Sequence, residues 1–403
     1  MVRRWFAASW LVGCGARRRH PSLPPARCCS PGRADDPADW DAQVDPSVDW
    51  TPVLSEPTWV VPSDAVPDGI TVLPSNNNVS ILLTDDRLFL AWRTSHNHFA
   101  SVDTEMHVVS SDDGGASWVH EHTVALGTDV REPTLLLADG HVVLTFFQAG
   151  TEPLAFEPQA VWRSERCATG DWTDEIVEDD TTRVPWDLKE RGGVLYRTSY
   201  TGEHYGEGVL DLHFERSDDG GRTFSPVGDD PVYQGGNSEA AFEIAQDGRL
   251  WAVTRNEDGD ATGQGAMVCT AEPDQLGVWD CPDVSDPERY DSPELLRHGD
   301  DLYLIARRDL GGPFGDDEGM LPYSTRPKRT ALYRIDPEAR AVVWLFDLPS
   351  AGDTAFPQAR RTGPHTFLVA NYSSPLEMAD ASWLQGQTDA RGTGVWLATL
   401  TFE

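Results

Sequence analysis

Two phrases of this chain, Ser111–Trp118 (SDDGGASW) and Ser217–Phe224 (SDDGGRTF), stand two 53-residue periods apart, and that spacing limits the fold more than any other feature. Midway, at Ser164, SERCATGDW ends in Trp172; one period beyond Ser217, Thr270 opens TAEPDQLGVW, which ends in Trp279. A fifth version, RIDPEARAVVW, ends in Trp344 after an insertion. A second phrase repeats out of step with the first: an apolar strand, a turn with Gly or Asp, and another apolar strand. Its six copies start at Ser80, Pro133, Trp186, Ala240, Pro293 and Pro357. Periods of this size signal stacked supersecondary units. Each unit reads strand, turn, strand, loop, strand, turn, strand, which is a four-stranded antiparallel blade. Six such blades predict an all-β six-bladed propeller. The last blade has only three strands before GVWLATLTFE, so VDWTPVLSEPTWVV (48–61) is expected to add its fourth and close the ring.

The repeated phrase reads as a folding device. Gly115 and Gly221 allow positive φ in a tight turn, and Asp113 and Asp219 can accept backbone N–H groups within it. The closing Trp118 or Phe224 is expected to tuck between neighbouring sheets, on the outer rim. The carboxylates of these turns are therefore poor catalytic candidates.

The formal net charge of −34 argues against nucleic acid and anionic membrane surfaces as partners. The start, MVRRWFAASWLVGCG, has a basic n-region and an apolar segment too short to span a bilayer. LVGC resembles a bacterial lipobox with Cys14 as the lipidated residue, which predicts an exported, membrane-anchored protein of the cell envelope. Residues 1–14 thus read as a signal, 15–47 as a disordered tether, and 48–403 as the propeller. Of six cysteines, Cys269 and Cys281 flank a probable hairpin loop and can pair in an oxidising compartment; Cys167 reads as a buried thiol.

SDDGGASW and SDDGGRTF resemble the aspartate box (BNR repeat) of sialidases, or neuraminidases, and the resemblance spans about residues 50–403. It implies a retaining exo-glycosidase that acts on an anionic glycan without a cofactor. Such enzymes use a tyrosine nucleophile assisted by a glutamate, an aspartic acid that protonates the leaving group, and three arginines on the substrate carboxylate. A neutral phenol avoids the repulsion a carboxylate nucleophile would meet. The segment SEAAFEIAQDGRLWAVTR maps Glu239 onto the assisting glutamate and Arg255 onto a clamp arginine. ANYSS maps Tyr372 onto the nucleophile, KRTALYRI maps Arg329 onto a second arginine, and Asp103 stands where the family's acid does.

One departure stands out. The first-blade arginine has no counterpart, because NNVSILL places Asn78 there, and an amide cannot form the bidentate pair with a carboxylate. Arg93 or Arg131 is left to substitute. The starts of the innermost strands are polar throughout: Asn76 to Asn78, Arg131, Glu132, Asp187, Glu239, Asp291, Glu294 and Gln358. Tyr200, His204, Tyr205, His96 and His98 lie on nearby loops. Aromatics and acids around one funnel suit a sugar. Two alternatives stay open: a non-catalytic surface propeller that binds glycan or protein, and a glycosidase for another sugar that uses two of Glu132, Asp187 and Glu294. His96 and His98 lack a metal-ligand pattern, so no metal is expected. The insertion at 310–328 reads as a candidate lid.

Overall fold

Alternating apolar and polar residues turn each repeat into an antiparallel sheet, and six sheets stand in sequence order around one axis. The computed structural model describes residues 38–179, 182–206, 208–311 and 320–403. The signal segment, Cys14, Cys28, Cys29 and most of the tether lie outside the described residues.

The innermost strands of blades 1 to 6 are Ser75–Leu83, Val130–Ala138, Val184–Arg191, Asn237–Ile244, Tyr290–His298 and Thr354–Gly363. Each pairs with the next strand of its own blade, so the six repeated hairpins are the six inner hairpins. In blade 6, Pro52 pairs with Phe402 and Trp59 with Trp396, so the N-terminal segment completes the last sheet and joins the two ends of the chain. In blade 4 the outermost position is held by a single bridge, Thr270 to Asp280, with Cys269 and Cys281 bonded beside it.

The core lies between blades. Ile81, Leu90 and Trp92 of blade 1 pack with Ala370, Tyr372 and Val395 of blade 6, all fully buried. Complete burial of each such side chain contributes about 1.5–3 kcal/mol. The repeated turns brace these seams. Ser111 Oγ accepts from Gly115 N at 2.8 Å, and Asp113 accepts from Ser117 N at 2.9 Å. Ser217 and Asp219 make the same bonds with Gly221 and Thr223. Trp118 joins the seam between blades 1 and 6, and Phe224 packs with Leu136 and Leu188 between blades 2 and 3. Trp344 departs from this scheme. It is 49% exposed on the outer strand Ala341–Asp347, lying over Arg308.

The expected tether ends before residue 47. Ala38–Asp41 forms one helical turn, and Trp40 and Asp41 are buried against the propeller. Asp41 accepts from Arg361 at 2.6 Å and pairs with Arg297 at 2.7 Å, so charge complementarity seats this segment below the ring.

Candidate functional site

All six innermost strands carry a β-bulge at the same height, where two residues face one on the neighbouring strand. The bulge residues are Asn78–Val79, Glu132–Pro133, Trp186–Asp187, Ser238–Glu239, Ser292–Pro293 and Phe356–Pro357. Asn78, Glu132, Ser292 and Phe356 sit at φ 48°, 50°, 52° and 53°, a region non-glycine residues rarely adopt. A bulge re-aims side chains, and those of five blades face one axial space. Asn78, Glu132, Trp186, Pro293 and Phe356 line one axial cavity of about 30 Å³. That space admits water and no sugar ring. A ligand therefore has to sit above the bulges, at the mouth formed by the loops between second and third strands.

Most polar groups of the ring are spent on joining blades. Gln358 accepts from Ile81 N, Ser80 accepts from Leu135 N, Asp187 accepts from Phe242 N, and Glu294 accepts from Ala359 N. Asp187 also holds buried Lys189 at 2.8 Å. Asp187 and Glu294, candidate central acids from the sequence, are thus inter-blade clasps. Glu239 also clasps, accepting from Ser292 N at 2.8 Å. Glu132 differs: its carboxyl accepts from the Asn78 amide at 3.3 Å, and the residue is only half-buried. Burial and the nearby Glu239 carboxylate push the Glu132 carboxyl well above the usual range. Burial also raises Glu239, while Arg255 at 2.6 Å and the Ser292 amide favour its ionised form.

Glu239 and Arg255 are brought together. Arg255 also meets Glu257 at 2.5 Å and Asp291 at 3.3 Å, so three carboxylates already balance it. Arg93 is fully buried, with Asp129 at 2.8 Å and the Phe99 carbonyl at 3.0 Å. Arg131 shares Asp129 and donates to the His98 carbonyl. Arg329 does not join them: its guanidinium donates to the Lys328 carbonyl at 2.8 Å. Its register partner is Arg308, so it lies on the sheet face opposite Arg307 and Thr330. Asp103 is on the loop between the second and third strands of blade 1. Its side chain is 64% exposed, and its ionic neighbour is His96 at 3.8 Å.

Tyr372 is fully buried, and its hydroxyl donates to Asp353 at 3.0 Å instead of to Glu239. Asp353 also bonds His98 Nδ1 at 2.8 Å and Trp383 Nε1 at 3.0 Å. Trp383, from the short helix Trp383–Thr388, lies over Arg307 and against Tyr323 of the 310–328 insertion. Sequence reasoning missed Arg307 and Asp353. Arg307 pairs with the residue before its bulge, as Arg93 and Tyr372 do in blades 1 and 6, an equivalence that strand register alone reveals. Among the described residues no three His, Cys, Asp or Glu side chains cluster as a metal site.

No protein-family model and no curated protein matches the sequence. Solved structures do resemble the fold. A protein of unknown function from Dyadobacter fermentans superposes with a TM-score of 0.60 at 14% identity, over 87% of this chain and 99% of its own. The endosialidase of phage phi92 gives 0.55 at 11% identity, over 83% and 68%. A Trypanosoma rangeli sialidase in complex with sialic acid gives 0.52 at 12% identity, over 89% of this chain and 59% of that one. The chain spans less than two thirds of the trypanosomal enzyme. The class so defined is the six-bladed β-propeller, and the likeness to these proteins is one of fold.

Proposed function

We propose that the protein is a glycoside hydrolase whose sugar site is the propeller mouth, with Glu132 as general acid and Glu239 as its ionised partner. The observation that carries this is the placement of Glu132. Among the acids of the axial ring that the sequence singled out, it is half-buried, accepts from the Asn78 side-chain amide of blade 1 instead of from a backbone N–H of the next blade, and has its carboxyl pushed well above the usual range by burial and a second carboxyl. Burial raises both carboxyls, Glu132 well above its usual range, while Arg255 favours the charged form of Glu239, and two carboxyls held unequally in this way can divide acid and base work between them. Glu132 would give its proton to the leaving oxygen, and Glu239 would support the positive charge that develops on the sugar ring. The fold shared with sialidases supports a carbohydrate ligand.

A second reading keeps the tyrosine mechanism on an anionic glycan. The contacts among Tyr372, Asp353 and Arg307 favour it. Arg255 suits an anion clamp poorly, since its charge is already matched. One experiment separates the readings: hydrolysis of a panel of aryl glycosides, including an α-sialoside, by wild type, Glu132→Gln and Tyr372→Phe. Loss of a general acid costs about 10²–10⁴-fold. The proposal predicts such a loss for Glu132→Gln and near wild-type rates for Tyr372→Phe. The reverse pattern selects the tyrosine. No release by wild type from any substrate selects a non-catalytic binding propeller.

A further inference from the structure

Tyr205, on the blade 3 loop at the mouth, combines three features that a packing residue does not need together. Its backbone sits at φ 65°, in the left-handed region, which is strained for an aromatic residue. Its position is fixed at both ends: its N–H donates to Asp258 at 3.1 Å, and its hydroxyl donates at 3.0 Å to Glu257, which is buried. The residue is nonetheless 49% exposed. The imidazole of buried His204 stacks beneath the ring at 3.8 Å and 21°, and Phe156 meets it edge-on. One face is therefore backed and the other is open, while the hydroxyl end is sunk among charges.

Those charges belong to the site. Glu257 pairs with Arg255, which holds Glu239. We propose that Tyr205 is the stacking platform of the site: its open face receives the apolar face of a sugar residue of the bound glycan. The strain holds the ring flat and open before any sugar arrives, which lowers the ordering cost of binding. This inference rests on the carbohydrate reading of the mouth but not on turnover.

The test compares Tyr205→Phe, which keeps the ring, with Tyr205→Gly, which removes it and relaxes the left-handed backbone. Binding is read on an immobilised glycan array, with thermal melting in parallel. Stacking contacts of this kind are worth about tenfold in affinity. Tyr205→Phe should bind the wild-type set of glycans. Tyr205→Gly should bind disaccharides and longer glycans about tenfold more weakly while melting near wild type. Equal binding by Tyr205→Gly overturns the proposal, as does a wild type that binds no glycan. Glu132→Gln on the same array keeps the two ideas apart. If glycan binding depends on Tyr205 and no variant or wild type hydrolyses anything, the catalytic reading falls and the platform stands.

Discussion

Glu132 and Asn78 show how single residues acquire roles from backbone conformation. Both occupy left-handed bulge positions, and the amide of one serves the carboxyl of the other. Asn78 thus stands as a neutral partner for an acid, where a guanidinium would have ionised it. Arg255, Glu239 and Tyr372 could be picked out from the sequence as polar or aromatic side chains in a recognisable order. Which carboxylate each would meet could not. Tyr372 finds Asp353, nineteen positions earlier, because Asp353 directly precedes the innermost strand of the same blade. His204 gives a prediction at this scale. Its imidazole lies buried between Glu257 and Asp258, and although burial lowers its pKa, the two carboxylates raise it to about 9 from 6.5. A raised folded pKa means that the stabilisation is complete below pH 6.5 and is lost as pH rises through 9. Urea unfolding at pH 6 and pH 9.5 should show wild type losing roughly 3 kcal/mol more than His204→Gln over that interval. Equal losses would show that the pairs contribute nothing.

The element that organises the site is the bulged inner hairpin. Its existence was legible, since six apolar pairs with a turn between them recur at a fixed period. The bulges were not legible, because Asn78, Glu132, Trp186, Ser238, Ser292 and Phe356 share no chemistry. What they share is the count of two residues against one, and that appears only once the strands are in register. The same holds for the clasps: Asp187 and Glu294 look like free acids until Phe242 N and Ala359 N are placed against them. The repeated turn was readable in full from its own residues, because turn chemistry is local. Gly115 sits at φ 93°, and a Cβ there would lie 3.3 Å from the Trp118 ring. Gly115→Ala is expected to lower stability by about 1–3 kcal/mol through backbone strain at the seam of blades 1 and 6. Gly114→Ala, at φ 74° with open space around its Cβ, should cost less. Thermal melting of the two variants checks the order, and a larger loss for Gly114→Ala would refute the seam argument.

At the scale of the whole molecule, ring closure makes one site from side chains scattered along the chain. Residues near 53 and 401 meet in blade 6, and the Glu239 carboxylate of blade 4 raises the carboxyl of Glu132 in blade 2. No local pattern encodes that proximity; it follows from the number of blades. The six-bladed architecture was accessible from the period, while the contact of Trp383 with Asp353 and Tyr323 depends on how two loops meet over the ring. The most direct test of this account is a ¹³C NMR titration of the Glu132 carboxyl in wild type and in Glu239→Gln. The account predicts a wild-type Glu132 that stays protonated well above the usual carboxylate range, and a midpoint that drops when Glu239 loses its charge. A Glu132 that titrates like an exposed glutamate, unmoved by Glu239→Gln, would contradict it.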